Sequence, residues 1–155
     1  MSMPSEGQQA PDFTLPADDG GEVTLSALRG APVVLYFYPR DDTPGCTTEA
    51  KDFTALAPAF AGTGARVLGV SKDSVEKHGK FRDKHNLGLT LLSDADSDVA
   101  ERYGVWVEKK MYGKTSMGIQ RASFLIDGAG VIRRVWPKVK VAGHAEAVLE
   151  AVRAL

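Results

Sequence analysis

One stretch of the sequence holds the residues that could do chemistry: Pro39-Arg-Asp-Asp-Thr-Pro-Gly-Cys-Thr-Thr-Glu49, which contains the chain's single cysteine, Cys46. A free cysteine is usually a small buried hydrophobe. Here its neighbours are Gly, Pro, Thr and Asp, so the pattern places it off the core face. Thr43 is a good helix N-cap, and Pro44 suits the first helical position. Cys46 then falls in the first turn, where unpaired backbone N–H groups and the positive dipole end favour an anion. A thiol so placed gives up its proton more readily than the free side chain, whose pKa is about 8.5. The expected chemistry is that of a nucleophilic thiolate. Gly45 adds a free N–H beside that of Cys46 and lets a substrate approach the backbone closely.

The elements around this stretch must position it. Residues 33–38 are apolar and aromatic, short enough for one buried strand. Behind Cys46, Ala50, Phe53, Ala57 and Phe60 recur at threes and fours, a helix that Pro58 kinks or ends. Residues 66–71 read as a second core strand, so the unit is βαβ with parallel strands. Ligands in such sheets lie beyond the carboxyl ends of the strands, where Cys46 falls. Upstream, residues 12–15 and 22–25 alternate polar and apolar about a turn, and residues 26–30 resemble a helical turn stopped by glycine.

Downstream, residues 74–86 read as a charged surface helix and 89–92 as a short strand. A helix through Val99 and Tyr103 has Asp94 or Asp96 to cap it and Gly104 to end it. Residues 121–127 and 131–136 form a hairpin about Asp127-Gly-Ala-Gly130. The last helix, 144–154, carries Ala145, Val148, Leu149 and Val152 on one face. The fold class is α/β, a mixed central sheet covered by helices on both faces.

The length of 155 residues fits one domain, residues 1–155, with residues 1–9 expected to fray. With 19 basic and 20 acidic residues the net charge is −1, which offers no field for nucleic acid or anionic membrane. No apolar run approaches the roughly 20 residues that span a bilayer, and the N-terminus lacks the pattern of a signal peptide. The expected location is the cytoplasm. One cysteine allows neither an internal disulfide nor a cysteine-built zinc site.

Pro39, Thr43 and Cys46 fit Pro-x-x-x-Thr-x-x-Cys, and Glu49 extends the pattern. Four segments, Tyr36-Phe-Tyr-Pro39, Thr43-Pro-Gly-Cys-Thr47, Glu108-Lys-Lys-Met-Tyr-Gly-Lys114 and Arg121-Ala-Ser-Phe-Leu-Ile-Asp127, occur in one order. The chain thereby resembles the peroxiredoxins, in their bacterioferritin comigratory protein (PrxQ) branch, from about Gly7 to the last helix. The resemblance implies a thioredoxin-like fold with an N-terminal extension. It also implies a monomeric thiol peroxidase acting on hydrogen peroxide and organic hydroperoxides without metal or organic cofactor.

Reducing a peroxide with a thiolate is a displacement at oxygen, which needs donors along the breaking bond and a shield against water. By resemblance Cys46 is the nucleophile, the Thr43 hydroxyl a donor and acceptor at the peroxide, and the Pro39 ring a shield. Arg121, at the start of its strand, becomes the cation beside the sulfur, oriented by Glu49. From the residues alone, Thr43 and Glu49 serve equally well as a helix cap and a first-turn acid, and Pro39 as a strand terminator.

Many members of the branch carry a resolving cysteine five residues after the first, where this chain has Lys51. Oxidised Cys46 must therefore wait for an external thiol such as thioredoxin, glutaredoxin or a small thiol. Two other functions compete. One is a peroxide sensor that signals through oxidised Cys46. The other, a thiol–disulfide oxidoreductase, lacks the usual Cys-x-x-Cys. His78, His85 and His144 are too scattered to suggest a metal site, Lys109, Lys110 and Lys114 read as a solvated loop, and Trp106, Tyr112 and Trp136 as packing residues.

Overall fold

The structure, a computed structural model, describes residues 2–155. Its centre is a five-stranded sheet in the order β5 (Thr90–Ser93), β4 (Arg66–Ser71), β3 (Val33–Phe37), β8 (Ala122–Ile126), β9 (Ile132–Trp136). Strand β3 (Val33–Phe37) is buried at every position, as its unbroken apolar run requires. It pairs parallel with β4 (Arg66–Ser71), which pairs parallel with β5 (Thr90–Ser93). On its other side β3 runs antiparallel to β8 (Ala122–Ile126), which forms a hairpin with β9 (Ile132–Trp136). Parallel pairing of β3 and β4 follows from the helical crossover between them, as expected.

The pleat sends alternate residues of β3 into two cores. Val33, Leu35 and Phe37 face one, shared with Val99 and Ala100 of the short helix α4 (Val99–Arg102), with Tyr103 just after it and with the N-terminal segments. Val34, Tyr36 and Tyr38 face the other, shared with α1 (Pro44–Ala55), α2 (Ala57–Gly62), α3 (Val75–His85) and α5 (His144–Arg153). The Tyr36 ring stacks on Phe53 of α1 at 4.8 Å and lies across Gly69, where a Cβ would stand 2.8 Å from its Cζ. Only glycine at that position of β4 leaves room for the tyrosine. Truncating Phe53, 1% exposed, would cost about 3–5 kcal/mol and loosen α1 from the sheet.

Several boundaries fall where local chemistry put them. The helix after Cys46 ends at Ala55 and restarts at Ala57, with Pro58 in the first turn of the second piece. Ser74 caps α3 by accepting from the Lys77 N–H, and Asn86 closes it in a left-handed conformation (φ 53°). Asp94, fully buried, accepts from the Val99 and Ala100 N–H groups at 3.2 and 2.8 Å and so caps α4 from a distance. β1 (Thr14–Pro16) and β2 (Glu22–Thr24) form the expected antiparallel pair.

Three features differ from the sequence reading. Gly7 and Gln8 are not frayed: their backbones pair with Ile132, and the next pairing, Ala10 with Gly130, continues beside the β8–β9 turn. Of the segment expected to fray, Met1 lies outside the described residues. The lysines 109, 110 and 114 belong to a hairpin, not a loop. β6 (Trp106–Met111) and β7 (Lys114–Ile119) turn through Tyr112 and Gly113, both at positive φ as a two-residue type I′ turn demands. Tyr112 is 98% exposed at that tip and packs against nothing, unlike Trp136, whose ring meets His144 edge-on at 5.6 Å. No helix among the described residues is long and apolar enough to cross a membrane.

Candidate active site

Thr43 occupies the N-cap of α1, Pro44 opens the helix, and Cys46 lies in its first turn. The ladder begins with the Thr47 N–H donating to the Thr43 carbonyl at 2.8 Å, so the N–H groups of Gly45 and Cys46 lie ahead of it. The Thr43 hydroxyl does not cap; it donates to the Arg40 carbonyl at 2.9 Å. Its oxygen lone pairs remain available to accept.

Cys46 is only 2% exposed, which corrects the expectation that it lies off the core face. The reason is helical geometry: Cys46, Ala50 and Phe53 are spaced i, i+4, i+7 and share the buried stripe of α1. The sulfur is not left in hydrocarbon. Arg121 donates from Nη2 to Cys46 Sγ at 3.4 Å and from Nη1 to Glu49 Oε1 at 2.6 Å. One planar fork thus spans the thiol and a carboxylate.

Sheet register explains how a residue so distant in sequence arrives there. Phe37 pairs with Ala122, so one more step puts Arg121 beside Tyr38, at the mouth of the loop leading to α1. Gly45 completes the fit, because a Cβ there would stand 3.2 Å from Arg121 Nη2. Pro39 is half-buried in the loop and lines a surface groove with Arg40, Lys72, Trp106 and Met117.

Glu49 is 1% exposed, and its Oε2 has no hydrogen-bond partner among the described residues. Burial pushes its carboxyl up to about 7 against the opposing charge and hydrogen bond of Arg121, with Asp52 adding a smaller upward push. His144, packed against Phe53 and bonded to the Ser123 hydroxyl at 2.8 Å, is pulled down to about 4 by burial and by the positive charge of Arg121. Lys51 is exposed on α1.

Sequence reasoning missed a buried cluster beside the loop. His78 was expected on a surface helix, yet it is fully buried and bonded to Asp41. Atoms of Asp41, Asp73 and His78 come within 4.8 Å of one another, the spacing of a metal cluster. Each is already engaged by protein: Asp41 by Tyr38 and His78, Asp73 by Ser71 and Lys77, His78 Nε2 by the Leu92 carbonyl. The donor set does not fit an ion.

The profile of the AhpC/TSA family matches residues 6–135. The chain belongs to this family. The peroxiredoxin Bcp of Bacillus subtilis (strain 168) is 50% identical over 147 residues, covering 95% of this chain and 94% of its own. Peroxiredoxin Bcp of Escherichia coli (strain K12) is 45% identical over 149 residues, with 96% of each chain covered. Among solved structures, the Xanthomonas campestris bacterioferritin comigratory protein, studied for alkyl peroxide reduction, superposes with a TM-score of 0.87 at 47% identity, covering 92% of this chain and 90% of that one. The Xylella fastidiosa PrxQ gives 0.93 at 39% identity, covering 99% and 98%. The chain is accordingly a Bcp/PrxQ peroxiredoxin with a thioredoxin-like fold, a thiol-dependent peroxidase.

Proposed function

We propose that Cys46 is the nucleophile that reduces hydrogen peroxide and small organic hydroperoxides, with Arg121, Thr43, Gly45 and Pro39 forming its site and Glu49 orienting Arg121. The reading is carried by one observation, the Arg121 fork that reaches both Cys46 Sγ and Glu49 Oε1. A permanent cation beside the sulfur stabilises the charge that develops on the peroxide oxygens.

The thiolate attacks one peroxide oxygen. An S–O bond forms as the O–O bond breaks, and the departing hydroxide or alkoxide takes a proton to become water or alcohol. The backbone N–H groups of Gly45 and Cys46 and the guanidinium are the donors for that charge. The Thr43 oxygen accepts from the peroxide O–H, and the Pro39 ring keeps bulk water out. Cys46 is left as a sulfenic acid. With one cysteine in the chain, two equivalents of an external thiol must return it, releasing water and a disulfide of the reductant.

Residues 1–155 act as one unit, a cytoplasmic monomer recycled by thioredoxin, glutaredoxin or a small thiol. The test is stopped-flow consumption of peroxide by the protein and by Cys46→Ser, followed by turnover with those three donors side by side. Peroxide consumption retained by Cys46→Ser refutes the assignment. Rapid oxidation with negligible turnover by every donor favours a peroxide sensor instead.

A further inference from the structure

The loop between β3 and α1 is bolted to the rest of the protein through one buried carboxylate. Asp41, 4% exposed, accepts at Oδ1 from the Tyr38 hydroxyl at 2.6 Å and meets His78 Nδ1 at Oδ2, also 2.6 Å. On the far side of the ring, His78 Nε2 lies 2.8 Å from the Leu92 carbonyl of β5. A carbonyl only accepts, so Nε2 carries a proton. The Nδ1–Oδ2 contact then needs a second proton, because two lone pairs at that distance repel. The backbone of Asp41 is tied as well, its N–H donating to Asp73 Oδ2 at 2.7 Å.

The next residue, Asp42, stands at φ 58°, a left-handed conformation that a non-glycine holds only where its surroundings impose it. Its own partners, Lys84 and His85, both at 2.8 Å, are surface contacts worth little. The buried restraint is therefore the Asp41–His78 pair.

We propose that Asp41 and His78 are positioning residues of the peroxidase site: a proton held between them clamps the loop 39–43 onto α3 and β5, fixing Pro39 and Thr43 over Cys46. The proposal rests on the peroxidase reading of Cys46. Burial draws the His78 proton off, but the hydrogen bond and charge of Asp41, the Leu92 carbonyl and the charge of Asp73 outweigh it and raise the ring above its ordinary 6.5. Tyr38 also faces the pair, and Lys77 faces it indirectly through Asp73 at 3.1 Å. The clamp is closed below the raised value. As pH rises through it, the proton leaves and the imidazole lone pair faces a carboxylate, so the loop loosens.

The test follows the His78 ring nitrogens by NMR in the wild-type protein and the rate of Cys46 oxidation by hydrogen peroxide from pH 5 to 10. We expect both nitrogens protonated at pH 6, and a fall in rate on the alkaline side as the ring titrates. His78→Gln is expected to slow oxidation by about ten- to a hundredfold and to lack that alkaline fall. Asp41→Asn with His78→Gln is expected to be no slower than either change alone, since the two act as a unit. A neutral ring at pH 6, alkaline profiles that coincide in wild type and His78→Gln, or additive losses would overturn the proposal. The ring titration is read without turnover, so it decides even where a variant does not fold. A wild-type Cys46 inert to peroxide would refute the peroxidase reading and leave the titration intact.

Discussion

Arg121 and Cys46 lie 75 residues apart in the chain, yet the guanidinium Nη2 donates to the sulfur at 3.4 Å. The antiparallel register of β3 and β8 makes that contact, and the second arm of the fork spends its hydrogen bond on Glu49. A lysine cannot bridge two acceptors in a plane. Arg121→Lys should therefore slow Cys46 oxidation by about 10²–10³ while keeping the charge. Stopped-flow rates at saturating pH would check this, and an unchanged rate would show that charge alone suffices.

Gly45 separates activity from stability. An added Cβ would stand 3.2 Å from Arg121 Nη2, so the guanidinium must shift by a few tenths of an ångström and its contact with the sulfur lengthens. Alanine in a helix is favoured over glycine by up to about 1 kcal/mol. Gly45→Ala is expected to unfold at the same or higher urea concentration, yet to oxidise about tenfold more slowly. A variant as fast as the parent would mean the guanidinium has room to yield.

Glu49 and His144 tilt the stability curve in opposite directions. Glu49 titrates near 7 when folded against 4.5 ordinarily, so between those values the folded chain keeps a proton that the unfolded chain has lost. Its contribution declines as pH rises across that window. His144 titrates near 4 against 6.5, so the unfolded chain takes up a proton that the folded one refuses, and stability declines as pH falls. Glu49→Gln should leave a curve that climbs from pH 4 to 6.5, and His144→Gln one that descends from 4.5 to 7. Urea unfolding across this range reads both; parallel curves for the two variants would sink the assignment.

Mass spectrometry after one equivalent of peroxide should show Cys46 as a sulfenic acid that dimedone traps, with no disulfide within the chain. Lys51→Cys tests whether α1 as folded admits one. Two α-carbons five apart on an intact helix lie roughly 8 Å from each other, beyond disulfide reach. We expect a bond in that variant only with loss of helical signal.

Much of this is legible in the sequence. Thr43-Pro44 marked the start of α1, and the apolar runs about it gave the two parallel strands, because strand burial and helix starts are local properties. What escaped were long-range facts. Arg121 gained its place from register, which no local pattern encodes, and entered only by resemblance. His78 was hidden among lysines and acids of α3, where it and Phe81 are the buried positions, too few to mark an apolar face. Cys46 was misread as lying off the core because its immediate neighbours are polar, although the i, i+4, i+7 run with Ala50 and Phe53 was there to be seen.

The 2% exposure of Cys46 also sets a size limit on what the proposed site can admit. A two-oxygen molecule needs only a narrow gap, whereas the thiol of a reductant brings a bulky body with it. Under the proposed chemistry the two halves of the cycle therefore ask different things of the fold: peroxide needs only a narrow opening at Cys46, and a bulky reductant needs room around the first turn of α1.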